Sequence, residues 1–133
     1  MKKNIGIFNL ILIFIVFIVL DQLTKQWAIE NLFIEFKSIE ISSFLSMTPV
    51  WNKGISFGFF QDSGELGRYG FTAFAFIMGA WLIWSSFKLP RYSSFGFMLI
   101  SSGAIGNAID RIIYGKVVDF IDFHINDFHW PAF

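Results

Sequence analysis

"GNAIDRIIYGKVVDFIDF", Gly106 to Phe123, decides how the chain is read, because it closes a very apolar segment with three aspartates, an arginine, a lysine and an asparagine. Asn107, Asp110 and Arg111 stand at i, i+3 and i+4, which sets them on one stripe of a helix. Gly103 and Gly106 occupy the turns just before, where a missing side chain lets another helix approach closely. Gly115 is expected to break the helix. Lys116 to Phe123 then run back as an extended or irregular return, and Asp119 folds toward the stripe.

The apolar setting is a property of the whole chain. Of its 133 residues 55% are hydrophobic, 20% aromatic and only 15% charged, too little polar surface for a soluble domain of this size. Ten acids balance ten bases, so no general electrostatic pull toward nucleic acid exists, and no nucleic-acid partner is expected. The absence of cysteine excludes disulfide frameworks, cysteine nucleophiles and zinc-thiolate sites.

A membrane-spanning helix needs roughly 20 mostly apolar residues. Three segments approach that length: Ile5 to Leu20, extendable through Trp27 and Ala28; Tyr69 to Phe87; and Phe95 to Ile113. The first follows Lys2 and Lys3 like a signal peptide, but it gives way to "DQLTKQW" rather than a small-x-small cleavage site and reads as a retained anchor. Three spans would place the end of the first, the connector Asp21 to Arg68 and everything after the third on one side. That side, or its border, holds all ten acids, whereas only Lys2, Lys3, Lys88 and Arg91 are charged on the other. The density of bases in the short N-terminus and in "KLPRYSS" favours that face as cytoplasmic.

The connector "FKSIEISSFLSMTPVWNKGISFGFF" alternates short β-branched stretches with Pro49, Gly54 and Gly58, which predicts small strands and turns at the membrane surface. Trp27, Trp51 and Trp130 fit an aromatic belt on that face, Trp81 and Trp84 one on the other. No internal repeat is visible, and a single membrane domain covers residues 1–133.

Charged groups within a span cost about 2.5 to 3.5 kcal/mol on insertion scales, so they are expected to face a polar cavity. Asp110 and Arg111 could simply neutralise each other at a helix end. That reading weakens because Asp21, Asn52, Asp110 and Asp119 are all expected on one face. Two carboxylates held close cannot both ionise easily, so one activates water while the other protonates a carbonyl or leaving amine. Other chemistries fit less well. His124 and His129 lack an HExxH arrangement, so no metal is expected, and Lys53 with Ser56 in "NKGISFG" reads as a turn with a strand rather than a serine-lysine pair. A non-enzymatic membrane protein that handles protons or cations through its aspartates is the competing class.

"DQLTK" (Asp21 to Lys25), "VWNKGISFG" (Val50 to Gly58), "GAIGNAIDRI" (Gly103 to Ile112) and "GKVVDFIDF" (Gly115 to Phe123) resemble, in order and spacing, the signature blocks of the bacterial lipoprotein signal peptidases, signal peptidase II, an aspartic peptidase family. The resemblance covers essentially the whole chain. It implies an all-α transmembrane bundle of four helices in the inner membrane, three of them present here, with a small β-cradle on the periplasmic side. It also implies a monomer that cleaves diacylglyceryl-modified prolipoproteins before the modified cysteine, in contact with membrane lipids and with no cofactor or metal. Carried over by position, Asp119 matches one member of the catalytic aspartate dyad. Asn107, Asp110 and Arg111 match its polar support, Asp21 the acid of the first helix and Asn52 the asparagine of the cradle loop. Lys25 and Gly54, within the same blocks, join them as support and substrate-binding residues, while Asp122 reads as ordinary interfacial charge.

The sequence departs from the family pattern at its end. The second dyad aspartate belongs to an N-x-A-D block following a "PAF"-like tripeptide, and here the chain stops at Pro131 to Phe133. The expectation is a truncated member, inactive by itself because a single aspartate cannot supply both base and acid.

Overall fold

The computed structural model describes residues 5–55, 57 and 59–133; Lys2 and Lys3, which bear on orientation, and Ser56 lie outside them. Helix α1 (Ile7–Ala28) passes into one π-helical turn (Ile29–Phe33) and then into strands β1 (Ile39–Ser42) and β2 (Leu45–Asn52). Helices α2 (Gly64–Ser86) and α3 (Arg91–Tyr114) follow, and strands β3 (Val117–Ile125) and β4 (Phe128–His129) end the chain.

This architecture corrects the expectation of an all-α bundle with three spans present. Three helices pack beside a four-stranded antiparallel sheet of order β1-β2-β3-β4. Only two helical stretches, Ile7–Phe33 and Gly64–Ser86, are long and apolar enough to cross a membrane; no third or fourth span is shown among the described residues. Helix α3 has 24 residues but spends many on serine, glycine and polar side chains. Those residues serve packing instead. Ser94 Oγ donates to the Ser86 and Leu89 carbonyls at 2.7 and 2.8 Å, and Ser101 Oγ donates to the Gly79 carbonyl at 2.9 Å. Small side chains and satisfied hydroxyls let α3 lie against both α1 and α2. The convergence of the polar residues therefore rests on direct contacts, since the three-span parity that suggested it does not hold.

The turn from α3 into β3 follows the local chemistry. Gly115 adopts φ 74°, the left-handed conformation that ends helices, and its N–H donates to the Arg111 carbonyl. Arg68 of α2 completes the cap, its Nε and Nη2 each donating at 2.7 Å to the carbonyls of Arg111 and Ile112. The predicted return from Lys116 is thus a regular strand. The predicted strands of the connector are also present, as β1 and β2.

Strand β2 pairs with β3 from Leu45↔Phe123 to Asn52↔Val117, with a bulge between Met47 and Val50. Pro49 lies in that bulge, where its missing N–H costs no ladder bond. Beyond the bulge Val50 faces Asp119 and Asn52 faces Val117, so Asn52 and Asp119 are diagonal neighbours on one face of the sheet. The core sits where the π-helical turn meets this sheet: Ala28, Leu32 and Phe33 pack on Val118 and Phe120, with Met47, Trp51 and Ile121 at the margin. Trp51, expected in an aromatic belt, instead packs on Phe33 at 4.6 Å and Tyr114 at 5.7 Å, with Lys116 Nζ over its ring.

Candidate active site

Two layers of polar side chains meet where α1, α3 and β3 converge. In the inner layer Lys25 is 6% exposed, and its Nζ lies 2.8 Å from Asp110 Oδ2, 3.1 Å from Asp21 Oδ2 and 2.9 Å from Asn107 Oδ1. Asp110 is fully buried, yet both carboxylate oxygens are used. Oδ2 also accepts the Val118 backbone N–H at 3.1 Å, and Oδ1 accepts from Gln22 Nε2 at 3.1 Å. A charge in such a place is tolerated only when paired and fully hydrogen-bonded. Gly106 makes the junction possible, because a Cβ there would collide with the Asp21 carboxylate. Gly103, expected to act likewise, is exposed with nothing near its missing side chain.

The outer layer faces a cleft. Asp119, 7% exposed, accepts from Asn52 Nδ2 at 3.0 Å through Oδ2. Asn52 Oδ1 accepts the Gly54 N–H at 3.0 Å, and the Gly54 carbonyl accepts from Arg111 Nη2 at 3.1 Å. Arg111 is itself buried, and its guanidinium lies over the Phe71 ring at 5.6 Å. Gly54 also sits tight beneath the Phe59 carbonyl, leaving no room for a Cβ. Asp110 joins the two layers, through its bond to the Val118 N–H beside Asp119 and through its chain neighbour Arg111, so all eight residues singled out by sequence belong to one connected cluster.

Burial pushes the Asp119 carboxyl above its ordinary range; the Asn52 hydrogen bond and the positive charge of Lys25 oppose the rise. Asp110 adds to it, and Arg111 works against it. A carboxyl with a raised proton affinity is better suited than an ordinary one to hold and pass on a proton. The cleft beside it, about 470 Å³, is lined by Val50, Asn52, Gln61, Asp119, His129 and Pro131 among others. The segment 129–132 forms one wall, held by bonds between the adjacent Phe133 and the backbone of Phe120 and Ile121 and by Trp130 N–H donating to the Phe123 carbonyl.

Sequence reasoning missed three contributors. Gln22 bridges Asp21, the Gly106 carbonyl and Asp110. It lies inside "DQLTK", but the i, i+4 pairing of Asp21 with Lys25 gave no reason to assign the amide between them. Gln61 braces Asn52 across a loop, and Arg68 caps α3; neither has a local pattern that betrays it. Asp122 also departs from its reading as interfacial charge. It is 7% exposed, lies 2.9 Å from His129 Nδ1 through both carboxylate oxygens and accepts from Thr48 Oγ1 at 3.5 Å. His124 approaches the His129 ring at 5.1 Å and Ser46 Oγ at 3.0 Å.

The sequence profile of the family described as Signal peptidase (SPase) II matches residues 13–133. A lipoprotein signal peptidase of Cupriavidus necator is 40% identical over 118 residues, 87% of this chain and 67% of that protein. One from Psychromonas ingrahamii is 39% identical over 121 residues, 89% of this chain and 69% of that protein. The chain thus spans about two thirds of the length of these relatives. Two solved structures described as a bacterial membrane enzyme, determined by the in meso method, share 31% identity with it. The one at 2.3 Å resolution superposes with a TM-score of 0.79 over 100% of this chain and 80% of its own, and the one at 1.9 Å with 0.74 over 99% and 86%.

Proposed function

The chain belongs to the signal peptidase II family, and from that premise we propose that it removes the signal peptide from diacylglyceryl-modified prolipoproteins, with Asp119 as one carboxylate of an aspartyl dyad. The observation that carries the assignment is a buried aspartate, held by Asn52 and raised in proton affinity by its surroundings, in the lining of a cleft of about 470 Å³. In such a dyad the ionised carboxylate takes a proton from water as its oxygen attacks the scissile carbonyl, while the protonated one donates to the carbonyl oxygen and then to the leaving amine. The second carboxylate is expected from the N-x-A-D block of the family pattern.

The remaining residues divide the supporting work. Lys25, Asp21, Asn107 and Asp110 weld α1 to α3 beneath the site, while Arg111 and Gly54 hold the loop that presents Asn52. An extended peptide lies along the cleft between the end of β2 and the segment 129–132. The diacylglyceryl chains lie against apolar helix surface, of which α1 exposes a great deal through Phe8, Ile15 and Leu23. We assign the protein to the inner membrane as a multi-pass monomer. Its N-terminus is cytoplasmic, with Lys88 and Arg91 on the same side, following the preference of bases for the cytoplasmic face. Asp119 is assigned to the periplasmic side by its packing, through Asp110 and Val118, at the Lys25 end of α1, opposite that N-terminus.

Matched prolipoproteins with and without the diacylglyceryl group, presented in vesicles containing the full chain as its gene encodes it, test this reading. Cleavage of the modified form alone supports it. Equal cleavage of both contradicts the lipid requirement, and cleavage of neither contradicts the activity.

A further inference from the structure

The loop between β2 and α2 is closed by a side chain that the family pattern did not single out. Gln61 Oε1 accepts the Lys53 backbone N–H at 3.0 Å, and its Nε2 donates to Asn52 Oδ1 at 2.9 Å. The Gly54 N–H donates to that same oxygen at 3.0 Å. An asparagine amide has an acceptor at one end and two donors at the other. With Oδ1 held by two donors, only the donor end remains to face Asp119, and it does so at 3.0 Å. A flipped amide would set its oxygen against the Asp119 carboxylate and its NH2 against two other donors. The Gly54 contact spans two residues and comes with the turn itself, whereas Gln61 reaches Asn52 from nine residues away. Gln61 also lines the cleft that Asn52 and Asp119 share.

Resting on the reading of Asp119 as catalytic, we infer that Gln61 is a positioning residue for the reaction: it fixes the orientation of the Asn52 amide and, through it, the Asp119 carboxylate. The Asn52 bond favours the charged carboxylate and opposes the effect of burial. Loosening Asn52 therefore raises the proton affinity of Asp119 further, and the limb of the pH–rate profile that reports Asp119 moves to higher pH.

Two variants separate this role from simple loop closure. Gln61→Glu keeps an acceptor for the Lys53 N–H but replaces the donor to Asn52 with a second acceptor, and Gln61→Met keeps the length with neither function. In the full chain as its gene encodes it, each is expected to lower kcat about tenfold, the loss of roughly one oriented hydrogen bond, with KM changed less than about twofold. The pH profile shifts upward. In an Asn52→Ala background each adds less than about twofold, because the effect travels through Asn52. A 13C-NMR titration of the Asp119 carboxyl in detergent reads the same coupling without turnover: Gln61→Met raises the midpoint in the native background and leaves it in Asn52→Ala. Additive losses, or a midpoint unmoved by Gln61→Met while Asp119→Asn abolishes cleavage, overturn the positioning role alone. Cleavage retained by Asp119→Asn removes the catalytic reading beneath it.

Discussion

Lys25 Nζ and Asp110 Oδ2 meet at 2.8 Å with almost no water around them: side-chain exposure is 8% for the lysine and 1% for the aspartate. The pair joins α1 to α3 below the candidate site. Breaking a buried pair by removing one partner leaves an uncompensated charge, at a cost of about 3 to 5 kcal/mol. Lys25→Met is therefore expected to lower thermal stability in detergent by that order. An unfolding temperature within a degree or so of the native protein would mean that Asp110 is held adequately by Gln22 and Val118 without the lysine.

Gly106→Ala tests the same junction sterically. The added methyl would run into the Asp21 carboxylate, which is already engaged by Lys25 and Gln22. Overpacking of this kind costs roughly 1 to 3 kcal/mol. Gly103→Ala, at a position open to its surroundings, should be neutral or slightly stabilising through helix propensity. Equal unfolding temperatures for the two variants would contradict the close approach at Gly106.

The seat of the sheet on the π-helical turn depends on Leu32, fully buried among Ala28, Phe33, Val118 and Phe120. Leu32→Ala should cost about 2 to 5 kcal/mol. Amide exchange should accelerate in β3 well before it does in α2, which contributes no residue to this cluster. Uniform acceleration across both would show that the sheet has no separate anchor.

Much of this arrangement is legible in the residues, for identifiable reasons. Asn107, Asp110 and Arg111 fall on one stripe because helical spacing is strict, and Gly115 marks the break because few other residues take its backbone angle cheaply. Alternation around Pro49 discloses β1 and β2. What misleads is the apolar length of the third helix. Its serines and glycines look tolerable within a span, but they serve contacts with α1 and α2, so length alone overstated the spans. Gln61 and Asp122 could not be read from sequence, because their partners lie across a loop or on neighbouring strands and only the β2–β3 register and the loop closure bring them together.

Asp119→Asn separates chemistry from architecture through its pH dependence. Burial raises the folded-state proton affinity of Asp119 above its ordinary value of 3.8. For an acid this sign means that its contribution to stability is present below the unfolded value and is lost as pH rises through the raised folded value. At neutral pH the ionised Asp119 is thus a cost. Asparagine, which can still accept from Asn52 Nδ2, relieves that cost. Unfolding temperature should be equal or higher for the variant at pH 7, with the difference shrinking toward pH 4. A variant that is much less stable at pH 7 would assign Asp119 a structural role.

The most direct measurement is prolipoprotein processing by that same variant. The full chain as its gene encodes it, or a version continuing through an N-x-A-D block and a following helix, is reconstituted in vesicles with a diacylglyceryl-modified prolipoprotein, and release of the signal peptide is followed over time. The predicted result is cleavage by the native chain and none by Asp119→Asn inserted to the same level. Cleavage by Asp119→Asn at a rate near native would contradict the catalytic role of Asp119.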